Sequence, residues 1–224
     1  HDALPIYLGY SKDQVLLISN VNRLGEKAQT LKDEVKELAL VSNATLSGYL
    51  PTPSFRSDSS YFPEGKSDQE SAVNMQGWRV DFDYVNTLGL QMVSGRGFDP
   101  TIATDSTAMI LNESAVEVLG LSPREALGKR ISLGVFNDDA SYFTVVGVIK
   151  NFHFESMRQV VRPLSLQIGQ SNANLIVKLR PGEFENTIAQ INRLWDTHSP
   201  GVAFDYRFMD ESFNEVYQNE QRLG

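Results

Sequence analysis

Residues 15–46 read VLLISNVNRLGEKAQTLKDEVKELALVSNATL, and the fold follows from how this stretch is parsed. Val15-Leu16-Leu17-Ile18 is a short apolar run, which predicts a buried strand. Gly25 breaks the chain. The spacing then predicts a helix with Ala28, Leu31, Val35 and Leu38 on one face and Lys32, Glu34 and Lys36 turned outward. A second strand, Val41 to Leu46, closes a strand–helix–strand unit. The last third of the chain repeats that layout. Leu164, Leu166 and Ile168 alternate with polar residues, and Leu175-Ile176-Val177 is a second buried run. Phe184, Ile188, Ile191 and Trp195 recur at helical spacing until Ser199-Pro200-Gly201 stops them. Phe204, Tyr206 and Phe208 alternate with Asp205 and Arg207, as in a half-buried strand. A final helix opens near Asp210 and runs through Phe213, Val216 and Tyr217 to Leu223.

Between the two units the composition changes. Ser47 to Ser71 is rich in Ser, Pro, Gly and Asp without a period, which predicts a long loop leading into an inserted domain. Short elements fill Met75 to Val148. Strands are expected at Trp78–Asp81, Thr107–Leu111, Ile131–Leu133 and Tyr142–Ile149, with one or two helical turns at Phe82–Leu88. Asn112 stands where a helix N-cap belongs, ahead of Ala115, Val116 and Leu119, and Gly120 ends that helix. Asn137-Asp138-Asp139-Ala140 reads as a hairpin turn. Parallel neighbours need a helical crossover, so the expected architecture is a split α/β sheet interrupted by a discontinuous β-rich insertion. The chain reaches Gly224 inside a helix without a C-cap signal, so the parent polypeptide is expected to continue beyond it.

With 224 residues, 41% of them hydrophobic and 21% charged, the chain has the composition of one or two globular domains. Twenty Lys and Arg against 28 Asp and Glu leave a formal charge of −8, with no block of consecutive cations. That balance disfavours general nucleic-acid binding, which needs clustered positive charge. No apolar run approaches the roughly 18–20 residues that span a bilayer, and the first residues do not read as a signal peptide. Cysteine is absent, which excludes disulfides, thiolate metal sites and cysteine nucleophiles without fixing the compartment.

Motifs for catalysis are weak. No Ser lies in a G-x-S-x-G turn. His153, in Asn151-Phe152-His153-Phe154, could act as a general base, but a His between two Phe residues reads first as a packed structural residue. His198 suits a contact with the dipole at a helix C-terminus. Asp81 and Asp83, or Asp138 and Asp139, could lend oxygens to calcium, yet neither pair belongs to a D-x-D-x-D-G loop, and solvated turn acids are the simpler reading. Gly128-Lys129 has the ending of a phosphate loop, but Pro123 stands where its first glycine belongs; Gly95-Arg96-Gly97 lacks a third glycine. Nothing singles out a catalytic pair among the scattered acids, and the aromatic residues fall at core periodicities. Asn43 and Asn112 head glycosylation sequons, to which no weight attaches.

Five fragments follow one another in a familiar order. They are Tyr84-Val85-Asn86-Thr87-Leu88-Gly89-Leu90, Gly95-Arg96-Gly97-Phe98, Ile110-Leu111-Asn112-Glu113-Ser114-Ala115, Leu127-Gly128-Lys129 and Val146 to His153. Together they resemble the MacB-like periplasmic core domain of FtsX-type ABC-transporter permeases, in wording closest to Bacteroidetes-type versions, over nearly the whole chain. Leu8 to Asp13 is similar to the segment after a transmembrane helix, and Phe208 to Arg222 to the segment before the next.

The resemblance implies an α+β fold. A split porter-like subdomain of strand–helix–strand units (residues 1–50 and 159–224) carries an inserted, mostly β second subdomain (residues 51–158). It also implies a location on the extracytoplasmic, periplasmic face of the bacterial inner membrane. The expected partners are a cytoplasmic ABC ATPase subunit, a second permease copy, and a periplasmic adaptor or outer-membrane protein; nucleic acid is not among them. Members of the family export peptides, lipoproteins or small toxic compounds, or control cell-wall hydrolases. Their motif residues are architectural: Gly95 and Gly97 would permit tight backbone geometry, Asn112 would cap a helix and Gly128 would end a turn. No catalytic, cofactor-binding or metal-binding residue is carried over, and ATP hydrolysis is expected on another polypeptide. The terminal helix, docked by Phe213, Val216 and Tyr217, would act as a stiff lever between domain and membrane. Two other classes compete: a ligand-sensing domain of a membrane receptor, which needs a pocket with converging polar groups, and a hydrolase built on His153.

Overall fold

A computed structural model describes residues 14–52, 54, 56–66, 68–134, 141–155 and 158–210. The elements run β1 (Val15–Ile18), α1 (Lys27–Lys36), β2 (Val41–Ser47), β3 (Ser59–Pro63), β4 (Val73–Val80), α2 (Tyr84–Thr87), β5 (Met92–Gly95) and β6 (Ala108–Asn112). After these come α3 (Glu113–Val118), α4 (Pro123–Ala126), β7 (Arg130–Leu133), β8 (Tyr142–Ile149), β9 (Leu164–Ile168), β10 (Asn174–Leu179), α5 (Phe184–His198) and β11 (Tyr206–Phe208). The chain is mixed α+β and falls into two compact units. Among the described residues one comprises 14–50, 79–88 and 169–210, the other 51–78 and 89–168. The expected hairpin turn at 137–140 and the terminal helix beyond Asp210 lie outside the described residues.

The first unit has a four-stranded sheet in the order β11-β1-β10-β2. Every neighbouring pair is antiparallel, so β1 and β2 are parallel to each other with β10 inserted between them. The same holds for β10 and β11 around β1. This corrects the expectation of parallel neighbours: each strand–helix–strand unit is opened by one strand of the other, giving the β-α-β-β-α-β split arrangement. Leu16, Ile18, Ala44, Leu46, Leu175 and Val177 pack one sheet face against Ala28, Leu31 and Val35 of α1 and Ile191 and Trp195 of α5. The other face carries α2 beside β2 and β10. All four residues of β1 are buried, which matches its continuously apolar run.

Lys32 corrects a second expectation, since it is 4% exposed and faces inward. Positions 28, 31, 32 and 35 form the i, i+3, i+4, i+7 stripe of a helix, so the spacing turns Lys32 toward the core whatever its charge.

The second unit has a seven-stranded sheet in the order β5-β8-β6-β9-β4-β3-β7, and β7 also pairs with β8. Six strands thereby close into a small barrel, which leaves them without an open edge. β7 and β5 share one edge of β8 in succession, at Tyr142–Thr144 and Gly147–Ile149. Three elements are absent from the reading of the sequence: β3, β5 and α4. The Ser/Pro-rich stretch contains β3, whose apolar content is only Tyr61-Phe62, too short to show a period. The α4 helix opens with a capping box, Ser122 and Glu125, around Pro123 at its first position.

Asn112 caps α3 as expected, accepting from the amide of Ala115 at 2.9 Å. The same oxygen accepts from Leu164 N–H at 3.0 Å, while its amide nitrogen donates to the Arg162 carbonyl at 2.8 Å. Asn112→Ala would remove a cap and orphan a buried amide and a carbonyl together, so a loss of about 2 kcal/mol is expected in urea unfolding. A loss under about 0.5 kcal/mol would refute this role.

Candidate functional site

Two pairs of motif fragments meet in the barrel unit. Gly95 stands directly opposite Gly147 in the β5–β8 ladder. Gly95 has φ +70°, and a Cβ there would overlap the carbonyl oxygen of Val146; a Cβ on Gly147 would overlap that of Arg96. Between them the Arg96 amide donates to the Val146 carbonyl at 3.0 Å. The Arg96 guanidinium clamps Asp105 through two hydrogen bonds of 2.7 and 2.8 Å. Those bonds hold the Asp105 carboxyl below the usual carboxylate range despite its burial. Gly97 corrects its expected role: it has open space around its Cα and no left-handed φ. In the second pair, Asn151 accepts from the Ser114 amide at 3.0 Å and donates its own amide to Glu113 at 2.8 Å. These residues hold strand ends together, and the Ser114 hydroxyl is itself engaged, donating to the Val161 carbonyl at 2.6 Å.

The other candidates are scattered. His153 is half-buried, while its neighbours Phe152 and Phe154 pack edge-on against Trp78 at 5.8 and 5.2 Å between ring centroids. The crevice His153 lines with Glu155 and Arg162 holds about 10 Å³, room for one water and no substrate. His198, the last residue of α5, meets Glu34 of α1 at 2.7 Å. Asp138 and Asp139 lie outside the described residues. No group of three or more His, Asp or Glu among the described residues is placed to hold a metal ion.

Asp81 and Asp83 are not solvated turn acids. Lys32 Nζ lies 2.7 Å from a carboxylate oxygen of each, and Lys36 Nζ 3.0 Å from Asp83. Asp81 also accepts from the Thr45 hydroxyl and from the Leu46 amide at 2.9 Å. Burial pushes the Asp83 carboxyl up, but the hydrogen bonds from Lys32 and Lys36 outweigh it and leave the group below its ordinary range. Burial likewise opposes the charge on Lys32, and Asp81 and Asp83 outweigh it in raising the ammonium. This cluster ties α1, β2 and residues 79–88 of the first unit together. The sequence signal that would have found it is the helical position of Lys32, not any motif.

Two features have the geometry of a working surface. In the first unit, β1 and β11 are directly hydrogen-bonded, with Leu16 opposite Phe208. Chain enters the first of these strands and leaves the second at the same end of the sheet. Behind them Trp195 donates to the Val202 carbonyl at 2.9 Å, and Phe184 packs on Phe208 at 5.9 Å. In the second unit, a half-open cleft of about 530 Å³ is lined by Pro63, Glu64, Lys66, Leu119, Leu121 and residues 128–131. Sequence reasoning missed this cleft because its cations come from segments more than 60 positions apart.

Among the described residues no helix is long and apolar enough to cross a membrane. The profile of the MacB-like periplasmic core domain matches residues 9–194. The fold is similar to the periplasmic region of MacB from Actinobacillus actinomycetemcomitans (14% identity, 93% of this chain and 94% of that one, TM-score 0.61). It is similar also to a domain of a putative permease protein from Porphyromonas gingivalis (16%, 87% and 89%, TM-score 0.57). A third likeness is to the extracellular domain of the noncanonic ABC-type transporter YknZ from Gram-positive bacteria (15%, 80% and 87%, TM-score 0.50). Comparison with curated proteins finds no match.

Proposed function

The chain belongs to the family of MacB-like periplasmic core domains, the extracytoplasmic part of ABC-transporter permeases, and from that membership we propose that it carries ATP-driven movement across the membrane to export cargo or to control partners outside. It makes and breaks no covalent bonds in this reading, and the fuel is hydrolysed by a cytoplasmic ABC ATPase subunit reached through the parent's membrane helices. A second permease copy works beside it, and an adaptor or outer-membrane protein is its outer contact.

The single observation that supports this most is the pairing of β1 with β11. Displacement arriving along either strand is shared at once by its neighbour through backbone hydrogen bonds. The helices behind, anchored by the fully buried Trp195, have to follow as one body. In this reading the four-stranded sheet and its helices are the porter-like part that takes up the movement.

The test uses the full permease with its ATPase in lipid. Spin labels on cysteines introduced at exposed Lys129 of two copies report an ATP-dependent distance change. Four glycines inserted in both tethers, after Lys12 and after Arg222, should abolish that change while ATP hydrolysis continues, because flexible linkers dissipate displacement. An unaltered distance change in the insertion variant overturns the coupling reading.

A further inference from the structure

The half-open cleft of the barrel unit is unusual for this chain. Against a net charge of −8, it gathers Lys66, Lys129 and Arg130 around one carboxylate, Glu64. That carboxylate is already engaged, since Arg130 Nη1 lies 2.6 Å from Glu64 Oε1. Arg130 is held a second time, with its guanidinium 4.6 Å above the Tyr142 ring. Lys66 and Lys129 are exposed on the rim. The remaining wall is apolar: Pro63, Leu119, Leu121 and Ile131. It rests on ordered backbone, because Pro63 pairs with Ile131 across the β3–β7 ladder and the Gly128 amide donates to Val145 at 2.8 Å.

We infer that this cleft is a docking site for an acidic peptide segment of a partner protein, one that inserts a bulky apolar side chain onto Leu119 and Leu121 beside Pro63 and sets its carboxylates against Lys66 and Lys129. Charge complementarity selects an anion from an otherwise repelling, acidic chain. The half-open shape selects a side-chain anchor: a small ligand or single acyl chain would leave too much of itself in water, since ligand pockets bury most of what they hold. An apolar plug ringed by polar contacts is the ordinary anatomy of a protein-docking hot spot. The inference goes beyond the coupling reading and stands without it, because binding is measured on the chain alone.

The test follows amide shifts of the ¹⁵N-labelled chain on titration with the blocked peptide Glu-Asp-Leu-Phe-Glu-Asp. Parallel titrations use its Gln/Asn counterpart, a version with Gly-Gly at the centre, and decanoate. Saturable shifts at Leu121, Gly128 and Lys129 are expected with the first peptide only. They should weaken about tenfold in the Lys66→Gln/Lys129→Gln variant, which should melt like the parent because both side chains are exposed, and they should weaken again in high salt. Absence of saturable shifts at millimolar peptide, equal response to the neutral peptide, or response to decanoate alone would each overturn the inference.

Discussion

Gly147→Ala is expected to lower stability by about 3 kcal/mol, a fall of roughly 6–12 °C in Tm for a chain of this size. The cause is steric. A methyl group at 147 would overlap the Arg96 carbonyl oxygen and press on the Met92 side chain, and the carbonyl belongs to backbone that cannot yield. Arg96 is fixed on both sides: its amide bonds the Val146 carbonyl, and its guanidinium is spent on buried Asp105. Gly95→Ala should cost at least as much, since it adds a left-handed φ to a clash with the Val146 carbonyl. The control is Gly97→Ala. With open space and an ordinary φ, it should change stability by less than about 0.5 kcal/mol or raise it slightly by stiffening the unfolded chain. Thermal unfolding of the three variants decides the matter, and a Gly97 variant as damaged as the Gly147 variant would refute the register of β5 on β8.

Lys32→Met should lower stability by a similar amount, about 3 kcal/mol. Methionine fills the space of the alkyl stem, so the loss is electrostatic: Asp81 keeps only neutral donors and Asp83 only Lys36. The variant should also change shape with pH. Asp83 titrates below its unfolded value in the parent, so its contribution is complete above about pH 4 and disappears as pH falls through the lower folded value. Lys32, raised in the fold, contributes below its unfolded value near pH 10.4 and loses that contribution as pH rises through the folded one. Removing Lys32 takes away one of the two groups that depress Asp83, so the loss of stability between about pH 4 and pH 2 should shrink. Denaturation series at pH 7, 4 and 2.5 measure this. An acid limb as steep in the variant as in the parent would falsify the assignment.

How far the fold could be read without coordinates differed from element to element. β1, β8 and α5 were legible because burial on one or both faces leaves an apolar run or period that no neighbour is needed to interpret. The cap at Asn112 was legible because its partner lies three residues away. β3 and β5 were not legible. β3 has two buried residues, and β5 alternates half-buried with exposed positions and ends on a glycine, so both take their strand geometry from the ladders they join. The glycine motifs were visible as a family resemblance, but that Gly95 faces Gly147 is a fact of pairing across more than fifty residues. Lys32 reads as outward by its charge, yet its helical position, in line with Ala28, Leu31 and Val35, turns it inward.

By itself the sequence determined the local states whose stabilising partners are near in the chain: helix periods, caps, buried runs, and the absence of thiol chemistry. It also determined the family, through the order of its fragments. Only the tertiary structure decided that the two strand–helix–strand units interleave, that six strands close into a barrel, that a buried lysine is matched by two aspartates, and that cations from two distant segments rim one cleft. Such features depend on pairings between distant segments, and the free energy of a long-range contact leaves no periodic trace in either of the segments that make it.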